Sequence, residues 1–573
     1  MSFFDDASLA FLPSGAAGKD GKAYSIKPTD GTGDFTFTRG SNLSATRVNA
    51  SQLIEKGREN ILLQSNSFDT NWIGSAAIAT SGQSGYDGTN DAWLLTKTAD
   101  TYANIRQDIT FSGVHTFSVY LKQGTNTSAI LRTTGGTAAK VEINLIDGTT
   151  SGTSNDISVK TESIGNNWWR CSLTLNASSD TAVRIYPEAP LGGANAGNIY
   201  IQDAQLESSL VATDVIETTT TTGKAGILED TPRFDYSGGA TCPSLLLEPS
   251  RTNLVPQSEY FGEWSVSASG TGVTPVRTAN AAISPEGLQN AYEVTFDTGS
   301  NTTTSDISIL TETIGGQGAG DYVLSFWAKV LSGTGEIVAR GAGSYLYTTC
   351  NLNSEWQRFE IKETLASPGT ISIAIGLRRG LANEPLNSSV TCQIYGAQVE
   401  EATYATSYIP TYGVSQTRAS DVCVGAGDAA TFNDSEGVLY AETSVLSNDL
   451  NIEAISISDG TGSNRVVVFK WNTSNLIRAR VTSGGANINL DFQVPDITSI
   501  NKIAVKYKTN DFALWINGVK VRTNTSGSNP SGLNQLAFNS DGGNGAPFYG
   551  NTKQVIVFPT ALSDSDLATL TTI

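Results

Sequence analysis

The sequence predicts an all-β chain built as tandem antiparallel β-sandwiches, two jelly-roll-like modules followed by a sandwich of another kind. Three observations predict it. Only 16% of the 573 residues are charged, while 57 glycines join abundant Ser, Thr and Asn, a balance that supplies turns and strand surfaces and few helices. Short blocks such as HTFSVYLK and YVLSFWAK alternate with period two, sending successive side chains to opposite faces. A long internal repeat then shows that much of the chain is written twice: RENILLQSNSF from Arg58 is answered by RTNLVPQSEYF from Arg251, 193 positions later.

The echo extends both ways. LIEKG before Arg58 matches LLEPS before Arg251, and Trp72 matches Trp264. Further on, FSVYLK (Phe117 to Lys122) matches LSFWAK (Leu324 to Lys329), Trp168 and Arg170 match Trp356 and Arg358, and IQDAQLE from Ile201 matches IYGAQVE from Ile394. The spacing drifts in the middle and returns to 193, as fixed strands joined by loops of variable length require. Two modules follow, 51–215 and 251–412, each an antiparallel jelly-roll-like sandwich, with 216–250 as connector. From 420 to 573 a third unit begins, with at least seven alternating blocks including RVVVFKW, LIRARVTS, NKIAVKYK and KQVIVFP. It ends in one short helix, ALSDSDLATL, that Ser563 or Asp564 is placed to cap. Residues 1–50 are Gly-rich and lack a core of their own, which predicts an arm ordered only by the first module or a neighbouring subunit.

Length and composition bound the function. At ~100–200 residues per domain the chain holds three to four domains, and 39% hydrophobic residues with nine Trp suffice to fill them. A formal charge of −19 argues against a phosphate-binding surface, so nucleic acid is an unsuited partner. Cys171, Cys242, Cys350, Cys392 and Cys423 form an odd, scattered set without a CxxC pair, which predicts small apolar core residues in place of a zinc site or disulfide framework. The N-terminus has no basic segment followed by an apolar run, and no stretch approaches 18 apolar residues, so neither a signal peptide nor membrane insertion is expected, and synthesis is expected in a cytosol.

DFTFTRGSNLSATRVNASQLIEKGRENILLQSNSFDTNW and TPRFDYSGGATCPSLLLEPSRTNLVPQSEYFGEW resemble segments of tailed-bacteriophage virion proteins that introduce carbohydrate-binding-like jelly-roll modules. The region from Gly437 to Leu570, with FALWINGVKV and KQVIVFPTALSDSDLATL, is similar to concanavalin-A-like or laminin-G-like lectin domains. The resemblance implies a tail fibre, spike or appendage of the virion that meets host-surface glycan. It also implies a homo-oligomer, with a trimer favoured, held to other virion proteins by the N-terminal arm, and it carries no catalytic residues to transfer. Weak sugar sites repeated on one particle gain avidity. A collar, ring, head-fibre or capsid-decoration role is the structural alternative, and a glycan-degrading enzyme the third.

The candidate chemistry is sparse. His115 is the sole histidine, which excludes a multi-His metal site within one chain, and it is expected as an ordinary strand-edge residue. EINLID, Glu142 to Asp147, resembles the catalytic strand of laminarinase-like glycosidases but has Asn144 at the central Asp and Asp147 at the final Glu, so a plain strand ending in a turn is expected. GGQGAG and DGTGS lack a following GK[ST] and helix, so no phosphate loop is read. Asp459 in SDGTGSN and Asp541 in NSDGGNG are candidate calcium ligands, each one of the ~6–8 oxygens calcium needs. For glycan stacking the repeat sorts the aromatics. Trp72/Trp264, Trp93/Tyr292, Tyr120/Trp327 and Trp168/Trp356 recur and predict core packing. Trp169, unmatched in the second module and on the opposite strand face from Trp168, is a candidate exposed platform, as is Trp471, whereas Trp515 is expected in the core.

Overall fold

The computed structural model describes residues 3–15, 18–19, 21–40, 43–99, 102–190, 196–300, 303–342, 347–378, 387–543 and 545–573. The predicted all-β sandwich architecture is borne out: antiparallel strands dominate, and the helices are short. The chain divides into two compact units, neither continuous in sequence. One comprises residues 57–226 and 252–416; the other comprises 1–56, 227–251 and 417–573.

The first of these units holds the tandem modules. In the second module two five-stranded sheets face each other, and strands Ile307–Gln317 and Gly320–Val330 lie in different sheets. In the first module the corresponding run is one strand, Asn104–Gln123, paired along its length with Trp168–Tyr186. Its beginning pairs with Ile73–Ser75 and its end with Asn198–Glu207, so one continuous strand serves two neighbourhoods. The register slips around Asp108 and Phe111, the bulge that lets a long strand bend. Strands Thr150–Ser154 and Ser158–Gly165 of the first module lie between the matched blocks at Phe117 and Trp168, where the spacing falls from 207 to 188. Trp72, Trp93, Trp264 and Tyr292 are buried between sheets, as predicted.

Both modules close by the same buried bonds. Asn60 Nδ2 donates to the carbonyls of Ala204 (3.1 Å) and Ile216 (2.9 Å), while its Oδ1 accepts from the amides of Leu62 (3.2 Å) and Leu206 (3.1 Å). Asn253 repeats the pattern with Ala397 (3.2 Å), Ile409 (2.9 Å), Val255 (3.1 Å) and Val399 (3.1 Å). Gln205 and Gln398 accept from the amides of Ile216 and Ile409 at 2.8 and 2.7 Å, and Glu207 and Glu400 accept from those of Thr213 and Thr406 at 2.9 Å. One amide side chain with two donors and an acceptor of two lone pairs thus satisfies four backbone groups that burial would otherwise leave unpaired. The modules meet at Gly113, where a Cβ would stand 1.7 Å from the Tyr412 carbonyl oxygen, in a backbone conformation of φ +85°. There the Val114 amide donates to that same carbonyl at 2.9 Å.

The other unit is a sandwich of a large sheet and a five-stranded sheet, Glu453–Ser458, Arg465–Lys470, Leu476–Ser483, Ala486–Gln493 and Gln535–Ala537. Its core draws on all three chain segments: Phe11, Phe35 and Phe37 from the first, Phe234 and Leu245 from the second, and Val466, Val505 and Leu514 from the third. The segment expected to be an arm therefore does not stand apart. Leu9–Phe11 pairs with Val555–Val557 of the C-terminal strand, and the connector strand Ser244–Leu247 pairs on the same strand at Gly550–Thr552. Of residues 1–50, positions 1–2, 16–17, 20 and 41–42 lie outside the described residues. The short C-terminal helix, Asp564–Thr571, is capped by Ser563, whose hydroxyl accepts from the Asp566 amide. Trp515 is buried as predicted, and so are four of the cysteines, but Cys242 is exposed.

A buried charge network holds the three segments together. Arg233 spans Glu248 (2.5 Å) and Asp421; Arg418 also reaches Glu248 (2.9 Å), and Arg39 reaches Asp421 (3.2 Å). All five side chains are almost wholly inaccessible. Burial pulls the Arg39 guanidinium down to about 10, against the opposing pull of Asp421.

Two outcomes are expected. Asp421→Ala takes from Arg39 the carboxylate it reaches and from Arg233 one of its two, leaving Glu248, a loss of about 3–5 kcal/mol for a broken buried pair. Hydrogen-exchange mass spectrometry should then show protection falling together in 1–56, 227–251 and 417–573 while 57–226 and 252–416 keep theirs; loss confined to 417–573 would contradict the network's joining role. Asn253→Ala should destabilise the second module by about 1–3 kcal/mol for each backbone group left unpaired, seen as a lowered melting transition.

Candidate functional site: the outer face of the five-stranded sheet

The register of the five-stranded sheet decides which side chains share its outer face. Val466 and Val468 point into the core, so Arg465, Val467, Phe469 and Trp471 lie on the other face, where Val467 and Phe469 are buried and Arg465 and Trp471 part-exposed. Phe469 lies opposite Arg478, and Val467 opposite Arg480. On the next strand Arg478 faces Asp491 and Arg480 faces Asn489. The outer face is therefore a ladder of guanidinium and aromatic rungs flanked by amides.

Its contacts are close. The Arg478 guanidinium lies 3.9 Å from the Trp471 ring centroid and holds Asp491 through both oxygens, at 2.7 and 2.6 Å. Arg480 lies 5.2 Å from the Phe469 ring and 5.0 Å from that of Trp471, and its Nε donates to Asn489 Oδ1 at 2.8 Å. Arg465 stands 5.8 Å from Phe469 and donates to the Ser540 carbonyl at 2.8 Å. Hydrogen bonds donated to Asp491 raise Arg478 above the usual guanidinium range, whereas burial, followed by the charges of Arg465 and Arg478, lowers Arg480.

Trp471 is thus half-buried, against Phe469 in an edge contact at 5.4 Å, and Arg478 covers its ring. The bare platform expected from the sequence is corrected to a ring roofed by a cation. Trp169 is also placed differently from expectation. It packs on the core side of its strand, its Nε1 donates to the Leu145 carbonyl at 3.1 Å, and its ring sits so close over Gly148 that a Cβ there would meet it at 2.4 Å. Trp168 and Tyr120 lie on the opposite, outer face of the sheet, not in the sandwich core; Tyr86 stacks on Tyr120 at 3.8 Å and Lys122 lies over Trp168. The second module repeats the arrangement, with Arg358 4.6 Å from the Trp327 ring and Lys329 5.1 Å from that of Trp356.

The acidic candidates serve turns. Burial works against the charge of Asp459, but hydrogen bonds from Thr461 and Asn464 outweigh it and hold the carboxyl below its usual range. Asp541 accepts from the Gly543 amide at 3.0 Å. Among the described residues no three His, Cys, Asp or Glu side chains converge to hold a metal ion. Glu142 pairs with Lys140 at 2.8 Å. Asp147 is held below the carboxylate range by the Thr149 hydroxyl and amide, the opposite of the raised value a general acid uses. A cleft of 340 Å3 between the modules is lined by Lys160, Arg170 and Asn280, the last bonding Ser158 Oγ (2.9 Å) and the Leu210 carbonyl (2.8 Å).

His115, expected at a strand edge, lies inside the long strand and is buried. It sits 3.3 Å from the Gly113 carbonyl through Nδ1 and 3.1 Å from Ser208 Oγ through Nε2. The sequence reading missed Arg465, Arg478 and Arg480; the signal was the Arg-x-Arg alternation of LIRARV facing the aromatics of VVVFKW across a short turn.

No protein-family model matches the chain, and no curated protein matches it in sequence. Similar solved structures include a Ruminococcus gnavus IT-sialidase CBM40 bound to α2,3-sialyllactose, at 18% identity over 26% of this chain and 92% of that one, TM-score 0.23. Mouse laminin α1 domains LG4-5 match at 10% identity over 44% and 90%, TM-score 0.18. Domain 4 of the arabinanase AbnA of Geobacillus stearothermophilus, in complex with arabinotriose, matches at 12% over 26% and 73%, TM-score 0.22.

Burial pushes His115 from 6.5 down to about 4. Between those values the unfolded chain takes up a proton that folded His115 refuses, so stability falls as pH drops through that window, by about 3 kcal/mol in all. His115→Gln should remove this component. The stability gap between wild type and variant, measured by denaturant titration at pH 7 and pH 4.5, should move in the variant's favour on acidification; parallel profiles would contradict it. Asp203 and Glu453, which burial raises to about 6 and 7, titrate in both proteins and cancel.

Proposed function

We propose that this chain is a non-enzymatic virion protein of tailed bacteriophages, of fibre or spike type, whose C-terminal sandwich contacts host-surface glycan. The observation that carries the glycan reading is the outer face on which Trp471, Arg478 and Arg480 stand part-exposed over the buried Phe469, flanked by Asn489 and Asp491. Aromatic rings, amide and carboxylate oxygens and fixed donors on one rigid sheet are the elements saccharide recognition uses. The sequence resemblance supports the virion assignment and the favoured trimer. The modules then form the body of the protein; their outer aromatics are covered by Tyr86, Lys122, Arg358 and Lys329, as Trp471 is by Arg478. The turn-bound Asp147 and ion-paired Glu142 support a role without catalysis. The covered aromatics equally favour a second reading, in which the whole chain is collar or capsid decoration and binds protein alone.

A printed glycan array probed with the full chain tests the proposal. Wild type should bind a subset of saccharides, Trp471→Ala should lose at least tenfold in affinity for them, and Trp471→Phe should retain part. No reducing ends should be released. Antibody to residues 420–573 should label appendages of intact particles; gold on capsid or neck, with an empty array, would establish the decoration reading instead.

A further inference from the structure

Arg480 is held as a receptor is held. Its Nε is tied to Asn489, its guanidinium is stacked beside Phe469 and Trp471, and both Nη groups make no hydrogen bond among the described residues. Asp491, the carboxylate on the neighbouring strand, is occupied by Arg478 through both oxygens, and Asp541 acts on Arg465. Arg480 thus makes no direct ion pair among the described residues, feeling Asp491 only at a distance, and two further guanidiniums, of Arg465 and Arg478, stand beside it in a chain whose formal charge is −19. A planar fork with two free Nη groups matches a carboxylate or sulfate bidentately, and because the side chain is already fixed, little conformational entropy is lost on binding.

Resting on the glycan reading above, we propose that the saccharide taken on this face is anionic, bearing carboxylate or sulfate, and that Arg480 receives the anion. Phe469 and Trp471 orient the guanidinium, and Arg465 and Arg478 add to the local positive field. Neutral sugars lack the group that would satisfy the free Nη donors, so discrimination follows from charge and fork geometry together.

The test uses the full chain on an array of matched neutral, uronate-bearing and sulfated saccharides, followed by titration of the best anionic ligand and its neutral counterpart. The anionic member should bind at least tenfold more tightly at low salt, with the advantage shrinking as salt rises. Arg480→Gln should abolish that preference while leaving residual binding of the neutral member, Arg480→Lys should restore part, and Lys160→Gln, in the other unit, should change nothing. Preference for uronates or for sulfates each supports the proposal and identifies the anion. Equal binding of neutral and anionic members, or a preference that survives Arg480→Gln in a variant with wild-type hydrogen-exchange protection, overturns it and leaves the glycan reading standing. Binding of no saccharide overturns both.

Discussion

The contact between Arg233, Glu248 and Asp421 is the constraint from which the architecture of the C-terminal unit follows. A guanidinium with no accessible surface is tolerable only where carboxylates surround it, and here one carboxylate comes from the segment between the modules and the other from the segment after them. Arg39 brings the N-terminal segment to Asp421 as well. The apolar core obeys the same logic, since Phe11, Phe35 and Phe37 occupy the sandwich interior with residues more than four hundred positions downstream, and Phe234 joins them from the segment between the modules. Ion pairing fixes which segments meet, and burial of aromatic surface makes the meeting favourable.

Strand content, the tandem repeat and the C-terminal cap were readable from composition, alternation and spacing. The repeated Asn of REN and RTN turns out to be the residue that closes each module. What stayed hidden was long-range pairing. Leu9, Phe11, Phe35 and Phe37 look like a coreless arm because their partners lie at the far end of the chain. Trp168 and Trp169 do lie on opposite faces, yet alternation alone cannot say which face the second sheet covers, and the core took Trp169.

The site was half legible for a related reason. Trp471 stands out as a single aromatic at a strand end, but the arginine ladder exists only once Phe469 is set opposite Arg478 and Asn489 opposite Arg480. Cross-strand register is a property of three strands at once, whereas a local pattern describes one. The same register converts an aromatic platform into a cationic surface on an acidic protein.

Ser8 bonds to Val557, 549 positions away. A ribosome adding ~5–20 residues per second needs roughly half a minute to two minutes to cover that distance, during which the apolar faces of the first segment have no partner. The modules emerge in the interval, and each returns the chain to where it left: Ala225 pairs with Arg58 at the ends of the first, and Arg251–Asn253 with Gln416–Arg418 at those of the second. Each folded insertion therefore shortens the loop that remains to be closed. Vectorial synthesis makes the outermost part of the sequence the last to find its fold, and gives the tandem modules the task of delivering its two ends to each other.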